Sequence, residues 1–448
     1  MKMGKRIEYV DIAKAIAIFL VVLGHTNWVF QDRGWLYIDV CYAFHMPLFF
    51  ALAGLFLKPK ETYSWSGWRR FLAKNFIALM LPYFIWGLIG MQFTYVNVAK
   101  LAWGSWLLEK EIGTITVLWY LPAFFMARIY CEAVFHLANR LRVSSRLSAL
   151  VAVPAFFATG MLLPHHNSLT DGIGNFMGFD IAFVAAAFML SGYLVRKGLD
   201  SFAAAPIWAI ASACVVSTGL FIGGMAAVRP LVTTGVDNTV AMCNAVYGPL
   251  QWFFANAYTG SAAIVFAAIL LARIPFDRRF IRYVGMNTMG VFLLHKPIIL
   301  EFKRIFSFSP DNVWEALYLA VPAFFLSLAL IRVFTRFAPA LVGKFASAAS
   351  VSDVMALILG EEARTSTLER ETLRKMLQAF ERTVLSDGRV DFDETTMLER
   401  FIRPLSESKG GAYREFHELI LRTRADGVIT AEESAALAEG LRKLREEC

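Results

Sequence analysis

Charged residues are scarce in this chain of 448 residues. Asp, Glu, Lys and Arg make up 18% of it, whereas 57% of the residues are hydrophobic. An ordinary soluble domain carries about 25% charged residues. The shortage argues against a soluble protein and favours a polytopic membrane protein with the lipid bilayer as a partner. The net charge of +8 comes from Lys and Arg scattered between apolar runs, and no basic run is long enough to indicate nucleic-acid binding.

Several chemical signatures are also missing from the sequence. The five cysteines form no Cys-x-x-Cys pair, so neither a disulfide framework nor a zinc site is supported. No glycine-rich nucleotide loop and no Gly-x-Ser-x-Gly elbow occurs, so neither ATP use nor a serine nucleophile is supported. The basic N-terminus resembles the start of a signal peptide, but the long apolar run after it contains Asp and Lys and no small-residue cleavage site. We therefore expect this run to be retained as the first helix.

Apolar runs of membrane-spanning length are abundant. A span needs about 20 mostly apolar residues. Lys and Arg concentrate in every second loop, which by the positive-inside rule places both termini in the cytoplasm. The predicted fold is all-α, a multi-pass protein of the bacterial inner membrane with about ten transmembrane helices. The ten candidate spans are 9–30, 36–57, 75–95, 115–136, 147–163, 177–195, 206–226, 242–272, 283–301 and 314–335.

The composition changes near residue 345. Residues 1–345 form the predicted transmembrane domain, and residues 346–448 predict a small soluble helical domain, because apolar residues recur there at helical spacing. Two segments of it, SDGRVDFDE (386–394) and ADGVITAEE (425–433), share an Asp-Gly pair and an acidic residue seven positions after the Asp. Two helical hairpins, each with a capped second helix, explain this repeated pattern. A divalent cation bound by the paired acids is the alternative.

Three ionisable residues interrupt the first apolar run, DIAKAIAIFLVVLGH (11–25). At about 100° per residue, Asp11, Lys14 and His25 share one stripe of a helix. The rise separates Lys14 from His25 by roughly 16 Å, so the two residues mark two levels of one polar track. Lys14 could instead snorkel, Asp11 could serve the helix dipole, and His25 could be satisfied between helices. Ionisable residues this deep are nevertheless functional candidates by default.

Two further histidines are predicted at comparable depth. His45 lies in FHMPLFFALAGLF (44–56), and the helical rise gives it a depth that overlaps that of His25. His295 lies in the ninth predicted span, in its middle or outer part. We interpret the histidines as a proton-handling site, with His45 and His295 as candidate substrate-binding residues.

A basic pair marks the other end of the predicted track. Arg69 and Arg70 lie in the inner segment WSGWRRFLAKNFIALMLPY (65–83), at the cytoplasmic end of the third predicted span. Topology and anionic lipid are sufficient to explain such a cluster. A phosphate clamp beside Lys14 is the functional alternative.

Together these residues resemble acyltransferase family 3, the integral-membrane O-acyltransferases. Lys14, ten intervening residues and His25 are similar to the family's basic-x10-His signature, although Lys14 replaces the arginine and lacks its bidentate fork. IEYVDIAKAIAIFLVVLGH followed by FHMPLFFALAGLF resembles the fucose 4-O-acetylase-like branch. The C-terminal segment is similar to TerB-like helical domains. Three later segments resemble the family's basic loop and its aromatic and Leu-His-x-Pro motifs: RRFLAKNFIALMLPYF, VLWYLPAFF (117–125) and MGVFLLHKPI (289–298).

The resemblance implies ten spans, a cytoplasmic acyl-CoA donor such as acetyl-CoA, and an acceptor hydroxyl, usually on a sugar of a surface glycan. It implies a catalytic role for His25 and CoA contacts from Lys14, Arg69 and Arg70. For the C-terminal segment it implies a metal-binding or regulatory role.

The residues themselves predict the chemistry of such a site. A hydroxyl is a weak nucleophile, so we expect neutral His25 to remove its proton; a variant in which His25 is acylated first stays open. Asp11 lies about 21 Å from His25 along the axis. It cannot orient that imidazole directly, so as the second candidate catalytic residue it is expected to organise the donor end of the track by pairing with Lys14 or another helix.

A proton-coupled secondary transporter or exporter is the alternative from another class, with Asp11, Lys14 and the histidines as a relay. The hydropathy shows no clearly repeated half, which counts weakly against a transporter. No bound metal is predicted. The acceptor, the acyl group and the oligomeric state, including a homo-oligomer, stay open.

Overall fold

The chain divides into two compact units, Met1–Val351 and Ser352–Cys448, and each is described by itself. The computed structural model describes residues 7–26, 36–91, 94–105, 117–163, 174–232, 240–275, 277–308, 310, 312–344, 377–378, 390, 392–409, 411–424 and 429–447.

The first unit is built from helices throughout its described residues. They begin and end as follows: α1 (Glu8–Gly24), α2 (Leu36–Gly54), α3 (Trp65–Asn75), α4 (Leu81–Gly90), α5 (Tyr95–Trp103), α6 (Tyr120–Arg140), α7 (Ser145–Leu162), α8 (Phe179–Phe202), α9 (Ile207–Val232), α10 (Leu250–Arg273), α11 (Arg279–Met286), α12 (Thr288–Phe306) and α13 (Val313–Phe337).

The length and composition of these helices identify a multi-pass membrane protein. Two of the ten predicted spans are not among the described helical segments that are long and apolar enough to cross a bilayer. α1 has 17 residues in the described part of the chain, and α12 carries Lys296 and three more charged residues. The count of ten and the cytoplasmic termini stay predictions. The eight helical segments long and apolar enough to cross a bilayer are Tyr37–Gly54, Trp65–Gly90, Tyr120–Arg140, Ser145–Leu162, Phe176–Phe202, Ile207–Val228, Leu250–Arg273 and Val313–Phe337.

Helix α1 lies at the centre of a group of helices. It packs against α2, α10, α11, α12 and α13, and its residues 9–13, 17–18 and 21–24 are buried. A helix that is apolar nearly all round is stable only when surrounded by lipid or protein. Ile18 and Val21, which lie on the stripe between Lys14 and His25, are 1% and 2% exposed. The stripe therefore faces other helices.

The third predicted span starts earlier than expected. It was predicted to begin at residue 75, but α3 already begins at Trp65, where the Ser64 hydroxyl accepts a hydrogen bond from the Gly67 amide (3.1 Å). Such a cap supplies one of the acceptors that the first helical turn needs. A π-helical turn, Phe76–Met80, then joins α3 to α4 just before Pro82, which has no amide hydrogen for the helical ladder. Arg69 and Arg70 thus lie on a helix.

Two other predicted spans are broken or shortened. The ninth, 283–301, is two helices, because α11 ends at Met286 and α12 follows after one residue, the C-cap Asn287. The side-chain amide of Asn287 donates to the Tyr283 carbonyl (2.6 Å). The eighth, 242–272, becomes regular helix only at Leu250. Before it, Gly248 adopts φ +62° and Pro249 forms the N-cap, so residues 240–249 fold as a separate segment.

Helices α2 and α8 approach each other through glycines. A Cβ on Gly54 would overlap the carbonyl of Met189, and a Cβ on Gly192 would overlap the carbonyl of Ala51. Small residues at helix interfaces in membranes let the two backbones come into direct contact. This contact fixes the position of α2, which carries His45.

The second unit is helical in its described part, with α14 (Phe392–Lys409), α15 (Gly411–Thr423) and α16 (Ala431–Glu447). The Thr430 hydroxyl accepts from the Glu433 amide (3.2 Å), and the Glu433 carboxylate accepts from the Thr430 amide (2.9 Å). This reciprocal capping box confirms the predicted cap of the last helix. Both Asp-Gly pairs, at residues 387–388 and 426–427, lie outside the described residues. The helices enclose a core of Leu377, Val390, Leu398, Ile402, Phe416, Ile420, Leu437, Leu441 and Leu444.

Candidate active site

Three histidines from three different helices form the centre of the site. His25 follows the last residue of α1, His45 lies in α2 and His295 lies in α12. The ring centroids of His25 and His295 are 5.0 Å apart. Tyr42 joins the third ring to them, with centroid distances of 5.9 Å to His25 and 5.0 Å to His45. Helix packing thus brings together residues that are up to 270 positions apart.

His25 occupies the C-terminal end of its helix. The first span was predicted to continue to residue 30, but α1 ends at Gly24. The Thr26 hydroxyl donates to the Leu23 carbonyl (2.7 Å), and the His25 ring bonds the Val21 carbonyl (2.7 Å). Both carbonyls also accept a backbone amide, Val21 from His25 and Leu23 from Thr26 (3.2 Å each), so the side chains add second hydrogen bonds at the helix end. The helix end therefore fixes the orientation of the imidazole.

The hydrogen bonds of the three rings define their tautomers. In each ring Nδ1 meets the carbonyl four residues earlier: Val21 for His25 (2.7 Å), Cys41 for His45 (2.5 Å) and Val291 for His295 (3.0 Å). A carbonyl oxygen can only accept, so Nδ1 must carry the proton in each case. Each neutral ring then presents Nε2 as a lone-pair acceptor. The site is thus rich in groups that can take a proton.

Two of these rings are enclosed by protein. His295 is 0% exposed and His45 is 2% exposed. Among the described residues, the Nε2 atom of His295 has no hydrogen-bond partner. A buried acceptor without a partner is costly, and its presence indicates a place for a ligand or a water molecule.

Sequence reasoning missed two members of this cluster. Tyr42 lies three residues before His45 and so on the same face of α2, which was a usable signal. Lys296 directly follows His295 and is 1% exposed. An ionisable residue so deep in a membrane protein is a functional candidate by default.

The structure places Asp11 and Lys14 at the other end of α1. Lys14 is half-buried, and its ammonium lies 5.2 Å from the centroid of the Phe56 ring, just after α2. Asp11 is buried at 9% exposure, and its backbone carbonyl faces Gly285 of α11, where a Cβ could not fit. Both residues are therefore far from the histidines, as the helical rise predicted.

Arg69 and Arg70 belong to a larger group of cations than the sequence indicated. Arg69 is half-buried and Arg70 is exposed on α3. The ring of Phe71, directly after them, has the Lys60 ammonium 5.1 Å and the Arg128 guanidinium 5.7 Å from its centroid. These last two residues come from the loop after α2 and from α6. Two further cations thus pack against Phe71 of α3, the helix that carries Arg69 and Arg70.

The loop after α2 is fixed to α6 beside these cations. Lys60 pairs with the carboxylate of Glu132, and the ring of Tyr63 stacks on that of His136 at 4.9 Å. The Trp68 indole donates to Nδ1 of His136 (3.0 Å). This histidine accepts at Nδ1 and therefore has the opposite tautomer to the other three. The contacts form a rigid base for the start of α3.

An ion pair fixes the start of α1. The Glu8 carboxylate lies 2.7 Å from Arg278 and 3.5 Å from Arg282 of the neighbouring segment. The hydrogen bond from Arg278, against a weaker opposing effect of burial, holds the pKa of Glu8 below its usual value, and the charges of both arginines add to the lowering. No local pattern predicts this pairing, because Glu8 and Arg278 lie 270 positions apart in the chain.

No cluster of three or more possible metal ligands occurs among the residues that the structure describes. What the histidine cluster can do is acid–base chemistry: a neutral Nε2 can accept the proton of a hydroxyl, and neighbouring acceptors can hold the hydroxyl in place.

The comparisons with known proteins identify the family. The family model described as an acyltransferase domain, Acyl_transf_3, matches residues 7–335. No curated protein and no solved structure matches the chain. The family match covers α1 to α12 and most of α13, and it does not favour a transporter. The histidine cluster, with its accepting Nε2 atoms, lies within the matched region, and the chain belongs to acyltransferase family 3.

Proposed function

We propose that the protein moves an acyl group, most simply acetyl, from a cytoplasmic acyl-CoA to a hydroxyl of an extracytoplasmic or lipid-linked glycan. The observation that carries this proposal is the cluster of three imidazoles, each with its Nδ1–H bound to its own helix and its Nε2 available. A hydroxyl nucleophile needs such a base. The motifs around His25 and His45, which resemble the fucose 4-O-acetylase-like branch, support a sugar acceptor.

The cations around α3 suit the donor. An acyl-CoA has an anionic phosphate-bearing head, and phosphate oxygens accept charge-assisted hydrogen bonds from Arg and Lys. We assign Arg69, Arg70 and Lys14 to this head, and Lys60 and Arg128 as further contacts. Because Lys14 presents a single point charge, the bidentate contacts of the clamp come from the arginines.

The reacting groups meet at the histidines. The acceptor hydroxyl donates its proton to Nε2 of His25 as its oxygen attacks the thioester carbonyl. The tetrahedral intermediate then expels the CoA thiolate, which takes up the proton, so that an ester and a free thiol leave. His45 and His295 hold the acceptor through their own Nε2 atoms. Asp11 organises the donor end and does not touch the reacting atoms.

The acyl arm follows the stripe of α1 that joins Lys14 to His25. Ile18 and Val21 fill the middle of this stripe and are buried. Delivery of the thioester therefore requires these two side chains to give way. Both are aliphatic, so the methylene groups of the arm can replace their apolar contacts, whereas the amides of the arm need hydrogen-bond partners along the track.

Mass spectrometry of the surface polysaccharide tests the proposal. Cells with the protein should carry glycan units heavier by one acyl group than cells without it, and purified protein should cleave acetyl-CoA when acceptor is present. Identical glycan masses in both strains, together with an inert thioester, would contradict it. Uptake of a solute into vesicles without acyl-CoA would instead support the transporter alternative.

A further inference from the structure

Residues 240–249, directly before α10, fold partly into the protein. Residues 240–249 form an isolated antiparallel bridge, Ala241 with Val246, around the turn Met242–Asn244. Connecting segments usually run over the surface, yet Met242 is 3% and Tyr247 is 6% exposed. Ala245 adopts φ +49°, a left-handed conformation that costs energy for a residue with a side chain. Strain of this kind persists where the surrounding structure holds it, often at binding sites.

Two buried polar atoms in this segment lack hydrogen-bond partners. Within the described ranges, neither Oδ1 of Asn244 nor the hydroxyl of Tyr247 is hydrogen-bonded. Each such atom costs free energy comparable to a lost hydrogen bond. Two of them three residues apart indicate a place where a ligand's polar groups complete the bonding.

A carboxylate group lies near the buried polar atoms of Asn244 and Tyr247. Asp180, in the first turn of α8, is 0% exposed and acts electrostatically on Tyr247 and on Tyr130. Met177, the residue before the N-cap of α8, has φ +49°. The backbone just before Asp180 is therefore strained as well. The Asp180 carboxylate and Oδ1 of Asn244 are acceptors for a ligand hydroxyl, and the Tyr247 hydroxyl can both donate and accept.

This place adjoins the histidine cluster. Cys243, next to Asn244, lies within interaction distance of Tyr42, whose ring contacts both His25 and His45. Tyr247 and Met242 also belong to the same buried cluster as Met46, the neighbour of His45. A molecule held by Asn244 and Tyr247 would therefore lie next to the proposed base.

The chemistry of these atoms selects the ligand. A carboxylate and an amide oxygen bind O–H and N–H donors and repel an anion. We propose that Asp180, Asn244 and Tyr247 form the acceptor site and that it takes a neutral, polyhydroxylated sugar unit, to the exclusion of uronates and sugar phosphates. This inference rests on the proposed acyl transfer, since it names the acceptor class of that reaction.

Sugar binding to the purified full-length protein tests the assignment. The probes are methyl α-L-fucopyranoside and methyl α-D-glucopyranoside as neutral sugars, and methyl α-D-glucuronoside as the anionic counterpart, measured by titration calorimetry. The wild type should bind at least one neutral glycoside and not the uronate. Tyr247→Phe, which removes one hydroxyl, should weaken binding by roughly three- to tenfold. Asp180→Asn, which removes the charge, should admit the uronate.

The matched control is Tyr283→Phe, which removes a hydroxyl that donates to the Leu328 carbonyl (3.2 Å) and should bind sugar as the wild type does. The assignment is overturned if no neutral glycoside binds, if the uronate binds equally well, or if both Tyr variants behave alike. Cleavage of acetyl-CoA is measured on the same samples. An inert thioester despite specific sugar binding would count against acyl transfer, whereas normal cleavage with binding unaffected by Tyr247→Phe would count against this site alone.

Discussion

The contact between α2 and α8 makes a quantitative prediction at Gly192. A Cβ at this position would overlap the carbonyl oxygen of Ala51 and would lie 2.9 Å from the carbonyl carbon. Carbon atoms in good contact lie about 3.5–4.0 Å apart, so Gly192→Ala must push the helices apart by roughly 1 Å. Overpacking of this size costs about 1–3 kcal/mol.

The displacement should affect activity as well as stability. Ala51 lies on the same helix as Tyr42 and His45, so a shift of α2 moves the ring that adjoins His25 and the histidine next to that ring. A misplacement of about 1 Å at a catalytic group can cost on the order of 100-fold in rate. We therefore expect Gly192→Ala to lower both the apparent unfolding temperature and kcat.

Thermal unfolding in detergent and steady-state acyl transfer measure the two effects. The matched control is Gly198→Ala on the same helix, where an added Cβ meets nothing within 4 Å and helix propensity improves by up to about 1 kcal/mol. The control should be at least as stable as the wild type. If Gly192→Ala matched the control in both measurements, the described packing of α2 on α8 would be wrong.

The remaining predictions concern the arginine pair of α3 and the ion pair at the start of α1. Replacing Arg69 and Arg70 together by Ala should raise the KM for acyl-CoA by about tenfold, since charge-assisted contacts to phosphate are lost. The control Lys197→Ala, which removes an exposed cation of α8, should leave this KM unchanged. If the wild type and both variants have equal KM values, the arginine pair serves membrane topology alone. Because Arg278 lowers the pKa of Glu8, the contribution of this pair to stability should be complete above the usual glutamate pKa and disappear as the pH falls through the lowered value. Unfolding temperatures should therefore show Glu8→Gln less stable than the wild type at pH 7, with a difference that shrinks as the pH is lowered, and a difference that stays constant with pH would refute the ion pair.

Ionisable residues in apolar runs are the candidates that the sequence marks most clearly, because burying such a side chain in a membrane costs free energy. His25, His45 and His295 were each singled out because an ionisable side chain deep in an apolar run requires a reason. The helical rise predicted that Asp11 and Lys14 lie far from His25, and the structure places them so. The extra cations Lys60 and Arg128 were out of reach, because their common contact with Phe71 depends on how three chain segments pack.

Element boundaries were harder to predict than the elements themselves. Hydropathy cannot detect that α3 begins at Trp65, because its first turns are polar and are held by the Ser64 cap. It also cannot detect the break at Asn287, since residues on both sides of it are apolar enough for one span. The inward-folded segment 240–249 was visible only as an interruption at Gly248-Pro249, and its buried polar atoms depend on tertiary contacts.

Acyl transfer by His25→Gln tests the assignment of the base most directly. Gln can still bond the Val21 carbonyl through its amide, but it has no nitrogen that accepts a proton. With purified protein, labelled acetyl-CoA and glycan acceptor, we expect kcat to fall by about 10²- to 10⁴-fold, the usual contribution of a general base, with the KM for acetyl-CoA nearly unchanged. A kcat within about threefold of the wild-type value is a far smaller loss than a general base accounts for. That result would remove His25 from the mechanism.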